Sequence, residues 1–150
     1  MTDTNDAVEP ISDELDSLTV ALIDYALDAL ATTGELSVSL ALGDDQGNAT
    51  LLSFDGDDFD ESIDEAHATV SRSAGKKVEG LKGACVRYAV AYDGAIDEEG
   101  TGYEPALIVE YGEQGMSRGY SAYLTYENPG DAQNFVCSEA APAGVVELLV

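Results

Sequence analysis

Apolar residues recur at helical spacing along the first thirty positions. Ile11, Leu15, Leu18, Leu22, Tyr25, Ala26, Ala29 and Leu30 form one stripe, which predicts a first helix. Ser12 is an N-cap candidate, with Asp13 and Glu14 in the first turn. Gly34 suits the left-handed position that ends a helix. The period then changes to two. Leu36, Val38, Leu40 and Leu42 alternate with Ser37, Ser39 and Ala41, which predicts a strand with one buried face. Residues 43–48 are rich in turn formers, and residues 49–54 read as the return strand of a hairpin. A second helix is predicted to start near Asp57, with Asp58, Asp60 and Glu61 in its N-terminal turn and a stripe of Phe59, Ile63, Ala66 and Val70. It should end before Gly75, and a basic connector over 75–82 follows.

The second half alternates. Residues 84–92 read as a strand, and 93–104 as a long acidic, glycine-containing loop. Residues 106–111 and 118–126 read as a hairpin joined through 112–117. Asn128-Pro129-Gly130 is a turn, and 135–139 a further short strand. The closing run 145–150 fits either a strand or a short helix.

The predicted class is α+β: a mainly antiparallel sheet with two helices, in the order α-β-β-α-β-β-β-β. That order is similar to the α-β-β-α-β-β-β-α of profilin-like and Roadblock-type domains. The resemblance rests on topology and on no residue motif, so it implies nothing about activity. Residues 1–10 read as a loose acidic tail and 11–150 as one domain. A chain of 150 residues buries roughly 70% of its unfolded surface and needs no disulfide or metal staple.

The acidic N-terminus does not fit the positive start of a signal peptide, and Asp24 and Asp28 interrupt the most apolar stretch. The expected compartment is therefore the cytoplasm, with no membrane association. Cys85 and Cys137 are then expected to be reduced, and both are read as small buried apolar residues. Their spacing matches no metal site.

Charge changes the picture more than composition does. Thirty acids oppose six bases, a net charge of −24. Such a surface repels nucleic acid and attracts basic partners. It also suits a salty cytoplasm, where repulsion is screened. Its distribution is uneven. Residues 1–64 hold no Lys or Arg, whereas Arg72, Lys76, Lys77, Lys82 and Arg87 crowd into 72–87 with Glu79 as the lone acid. That window carries +4, so the remainder carries −28. Cations at the end of the second helix would complement its dipole. Alternatively the island docks an anionic ligand or an acidic face of a second copy.

Catalytic motifs fail on context. Gly115-Met-Ser-Arg-Gly119 matches the nucleophile elbow, which needs a helix after it. Tyr120 to Tyr126 instead alternates like a strand, so a hairpin turn is expected. His67, the sole histidine, reads as a half-buried or surface helix residue. An EF-hand frame begun at Asp44 puts Ala49 where glycine is needed, and one begun at Asp55 puts Asp60 there. Ser73-Ala-Gly-Lys-Lys lacks the first glycine of a P-loop, because Val70 stands in its place. No cofactor and no metal are expected, and catalytic residues are not assigned.

Seven of the eight tyrosines lie between Tyr88 and Tyr126. Tyr120, Leu124 and Tyr126 share one face of their strand, and Tyr123 points to the other. They read as cross-strand packing pairs, or, with Arg87 and Arg118, as a recognition surface. The expected contact residues are Arg72, Lys76, Lys77, Lys82, Arg87, Arg118, Tyr120 and Tyr123. The expected function is protein interaction by a non-enzymatic domain: a homodimer, an adaptor, or an inhibitor of a basic partner. A small-molecule site between sheet and helix using Cys85, Arg87, Tyr88 and Arg118 is the alternative. A third reading is acidity as salt adaptation alone.

Overall fold

The computed structural model describes residues 10–97, 100 and 102–150. Of the expected acidic tail only Pro10 lies within them. Helix α1 spans Asp13–Thr33. Its N-cap is Ser12, whose hydroxyl oxygen accepts from the Leu15 N–H at 3.0 Å. It ends at Gly34, left-handed at φ 77°, whose N–H returns to Leu30 O. The hairpin β1 (Val38–Asp44) and β2 (Ala49–Phe54) follows. Helix α2 spans Phe59–Ser73 behind the N-cap Asp58. Strands β3 (Cys85–Ile96), β4 (Glu104–Glu113), β5 (Gly119–Glu127), β6 (Val136–Cys137) and β7 (Ala141–Val146) complete the chain.

All strand pairs are antiparallel, and the sheet runs β2-β1-β3-β4-β5, with β6 and β7 both on the far side of β5. The α+β class and the order of elements agree with the sequence pattern. At the C-terminus the closing run 145–150 is neither a strand nor a helix as a whole: Val145 and Val146 end a strand that begins earlier, at Ala141, and 147–150 has no regular structure. Among the described residues no helix follows β5, unlike the α-β-β-α-β-β-β-α order. The acidic loop is also shorter than expected. β3 continues to Ile96, because its backbone stays paired with β4 as far as Glu104.

The helices cover opposite faces of the sheet. Leu15, Leu18, Leu22, Ala26 and Leu30 of α1 meet Ala41, Ala89, Ala91, Leu107 and Val109. Ala66 and Val70 of α2 meet Val38, Leu40, Leu42, Tyr88 and Val90. Large leucines over small alanines on one face, and small helix residues over large strand residues on the other, keep both interfaces dense. Strand β1 is consequently buried at all seven positions, which corrects the expectation of one buried face. Its small residues Ser39, Ala41 and Gly43 do not face water; they make room for α1. A Cβ on Gly43 would come within 2.7 Å of the Arg87 side chain.

The two edges of the sheet differ. β2 is an edge strand of six uncharged residues, Ala-Thr-Leu-Leu-Ser-Phe. On the other side β7 carries Pro142, and its pairing with β5 is interrupted by a register shift at Ser121/Ala122.

Candidate functional site

Three polar side chains meet where α2 crosses the sheet. His67 lies one residue after Ala66, at the flank of the helix's apolar stripe. Glu110 points up from β4 on the same face. The His67 imidazole and Glu110 Oε1 are 2.8 Å apart. Tyr92 Oη donates to Glu110 Oε2 at 2.7 Å. Glu110 is 8% exposed, and the Phe59 ring packs edge-on to Tyr92 with centroids 6.2 Å apart. Burial pushes the Glu110 carboxyl upward, but the hydrogen bonds from His67 and Tyr92 outweigh it and hold the group below its ordinary value. The same bond to Glu110 raises His67, against the opposing effect of burial. Burial, then the neighbouring carboxylate, raises Tyr92. Both Glu110 oxygens are engaged, so the group neutralises a buried carboxylate and orients an imidazole. His67 fits the half-buried structural histidine read from its helical setting. Its partner, 43 positions away, has no local signal.

A second network ties four segments together at one end of the sheet. The Asp44 carboxylate, at the end of β1, is fully buried. It accepts from the backbone N–H groups of Gln46, Asn48, Lys82 and Gly83 at 2.7–2.9 Å, and from the Asn48 amide at 3.1 Å. Burial raises this carboxyl, yet the four backbone donors hold it well below the usual carboxylate range. The Arg87 guanidinium donates to the Asp44 carbonyl and, through Nε, to Glu113 Oε2 at 3.2 Å. Glu113 also accepts from the Ser12 N–H and hydroxyl, at 3.1 and 2.8 Å.

The expected contact residues take different places. Arg87 belongs to this internal network, with its side chain 13% exposed. Tyr120 is buried on the α1 face, stacked on Tyr111 at 6.2 Å. Tyr123 is half-buried on the α2 face, opposite Ile108. Arg72 is exposed in the last turn of α2 and pairs with Glu65 at 3.0 Å. Lys76, Lys77, Lys82 and Arg118 are exposed. The Lys77 ammonium donates to Leu81 O at 2.9 Å. Only Arg72 of the island lies in the helix, so dipole complementation applies to it alone. The residues of the alternative small-molecule reading take different environments. Tyr88 and Cys85 are fully buried, Arg87 is paired, and Arg118 lies in the β4–β5 turn. Burial raises the Cys85 thiol and pushes the Tyr88 phenol up to about 12. Cys137 is exposed, not buried as expected, because β6 is a two-residue strand beyond β5. Ser117 lies in the β4–β5 turn, and a strand follows it, so the nucleophile-elbow context is absent.

The antiparallel path gathers the bases. The α2 C-terminus, the connector to β3, the start of β3 and the β4–β5 turn share one end of the sheet, where Gly75 N–H bonds Cys85 O and Gln114 N–H bonds Val86 O, each at 2.8 Å. All six bases stand on those segments. The opposite end holds the α2 N-terminus, the end of β3, the start of β4 and the end of β5, and its described residues include acids but no base.

Beside β2 lie two depressions on opposite faces. On the α1 side a channel of about 170 Å³ has Leu18, Ala21, Leu22, Tyr25, Ala41 and Leu51 along it, and continues into a 350 Å³ cleft at Asp13 and Glu14. On the α2 side a hollow of about 760 Å³ is lined by Asp55, Asp58, Glu61, Asp64 and Glu65. Among the described residues no helix is long and apolar enough to cross a membrane, and no group of His, Cys, Asp or Glu is placed to hold a metal. Comparison with protein-family models, with curated proteins and with solved structures finds no match.

Proposed function

We propose that this chain is a non-enzymatic protein-interaction domain that receives a basic partner, acting as an adaptor or inhibitor. The supporting observation is the segregation of charge. Every Lys and Arg stands at one end of the sheet, which leaves the other end a uniform negative field. Such a field speeds and orients the approach of a positive surface. The polar clusters favour the same reading, since both are closed on themselves.

The test is titration with an oligolysine at low and high salt. Binding should weaken with salt. Neutralising Asp57, Asp60, Glu61 and Asp64 should weaken it by more than about tenfold. Neutralising Asp13, Glu14, Asp45 and Glu79 at the other end should do little. Equal effects from the two sets would reduce the interaction to net charge and overturn the proposal.

A further inference from the structure

We propose that β2 is an acceptor strand: an extended partner segment with alternating apolar and basic residues adds to its open edge. This rests on the reading above that the partner is basic, and names the surface and the shape of what binds.

The backbone phase comes first. Asp44 N–H donates to Asn48 O at 2.9 Å across the β1–β2 turn. With the register Leu42↔Thr50, Leu40↔Leu52 and Val38↔Phe54, the alternation of an antiparallel ladder turns residues 50, 52 and 54 toward β1. The N–H and C=O groups of Ala49, Leu51 and Ser53 then point to the open side. No backbone bond outside the β1 ladder reaches them among the described residues.

The edge also lacks the usual protection. Edge strands are normally blunted by lysine, proline, a bulge or an inward charge. β2 has none of these, although the chain is one-fifth acidic, with 30 of its 150 residues Asp or Glu. Leu51 is 44% exposed there.

The two depressions then select the occupant. Successive side chains of an added strand point to opposite faces. One set would lie along the channel at Leu18, Ala21, Tyr25 and Leu51. The other would reach the hollow lined by Asp55, Asp58, Glu61, Asp64 and Glu65. Of those five acids only Glu65 is ion-paired among the described residues. Apolar groups fit the first side, and Lys or Arg fits the second. A second copy of β2 brings no base, and two-fold strand pairing would set its own five carboxylates beside these on the same face. Charge complementarity therefore favours a basic partner over self-pairing. Main-chain bonds supply affinity and the alternating side chains supply specificity, as in other strand-addition complexes.

The experiment compares two peptides of equal composition, Val-Lys alternating and Val-block/Lys-block. The alternating peptide should bind about tenfold tighter, and only it should slow hydrogen exchange at the Leu51 and Ser53 amides. Ser53→Pro removes one outward donor without touching the β1 ladder and should abolish this preference, whereas Ser53→Ala should keep it. The exchange measurement on the unmodified protein stands even if the proline variant fails to fold. If both peptides bind equally and exchange is unchanged, strand addition is overturned while the basic-partner reading survives. If neither binds, both fall. Sedimentation showing a dimer that Ser53→Pro dissolves would make a second copy the occupant and overturn the choice of partner.

Discussion

His67 of α2 and Glu110 of β4 stand Nε2 to Oε1 at 2.8 Å, joining helix to sheet across 43 positions of sequence. The folded imidazole titrates above its ordinary value of 6.5, so its contribution is complete below that pH and is lost as pH rises through the folded value. The folded Glu110 carboxyl titrates below 4.5, so its contribution is complete above that pH and is lost as pH falls through the folded value. The pair stabilises most between these limits. His67→Gln should cost about 1–2 kcal/mol near pH 6 and distinctly less at pH 9. Urea unfolding across that range checks it; a constant difference would contradict the coupling.

Asp44 organises more backbone donors than any other side chain described above. Replacing it by Ala strands the amides of Gln46, Asn48, Lys82 and Gly83. The melting temperature should fall by roughly 5–10 °C. Its carboxyl is held well below 3.8, so its contribution is complete above that value and lost as pH falls through the folded one. Asp44→Asn should therefore flatten the acid limb of the stability profile. Thermal melts from pH 2 to 6 would show this, and an unchanged acid limb would refute it.

The two thiols should differ in reactivity. Cys137 is exposed, whereas Cys85 is fully buried with its thiol raised by burial. A thiol reagent at pH 8 should modify one equivalent quickly and the second only as the fold opens. Mass mapping would place the fast label on Cys137. Two fast equivalents would show that the β3 start opens readily.

Salt should stabilise the fold through the acidic end. Asp57, Asp58, Asp60, Glu61 and Asp64 crowd the α2 N-terminus and repel one another across water. Screening contracts to about 3 Å at 1 M salt. The melting temperature should climb from low salt to 1 M, and neutralising Asp57, Asp60, Glu61 and Asp64 should remove much of the slope. A continued steep rise above 1 M would point to salt adaptation beyond simple screening.

The parts legible in the sequence are those with local causes. Ser12 and Gly34 bound α1 because capping and the left-handed turn depend on neighbouring residues. The Tyr120/Tyr123 split follows from strand period, and Tyr111 stacked on Tyr120 is the cross-strand packing expected of these residues. The double burial of β1 was not legible. Ser39, Ala41 and Gly43 suit a wet face and a tightly covered face equally well. Asp44 looked like one turn acid among many, since two of its donors lie 38 and 39 positions away. The basic island was half legible. Chain proximity groups Arg87 with the lysines, but β3 turns it inward to Glu113. Arg118, distant in sequence, joins their end of the sheet because the β4–β5 hairpin returns there.

Pro142 and the register shift in β7 have one more consequence. Open-ended polymerisation by strand addition requires each subunit to offer a receptive border on both sides. β7 carries a proline and a register shift against β5, both features that blunt an edge, whereas β2 carries neither. A copy that has accepted a strand on β2 offers no matching site for the next. On the strand-addition proposal, addition at β2 is therefore expected to end with one partner rather than to propagate.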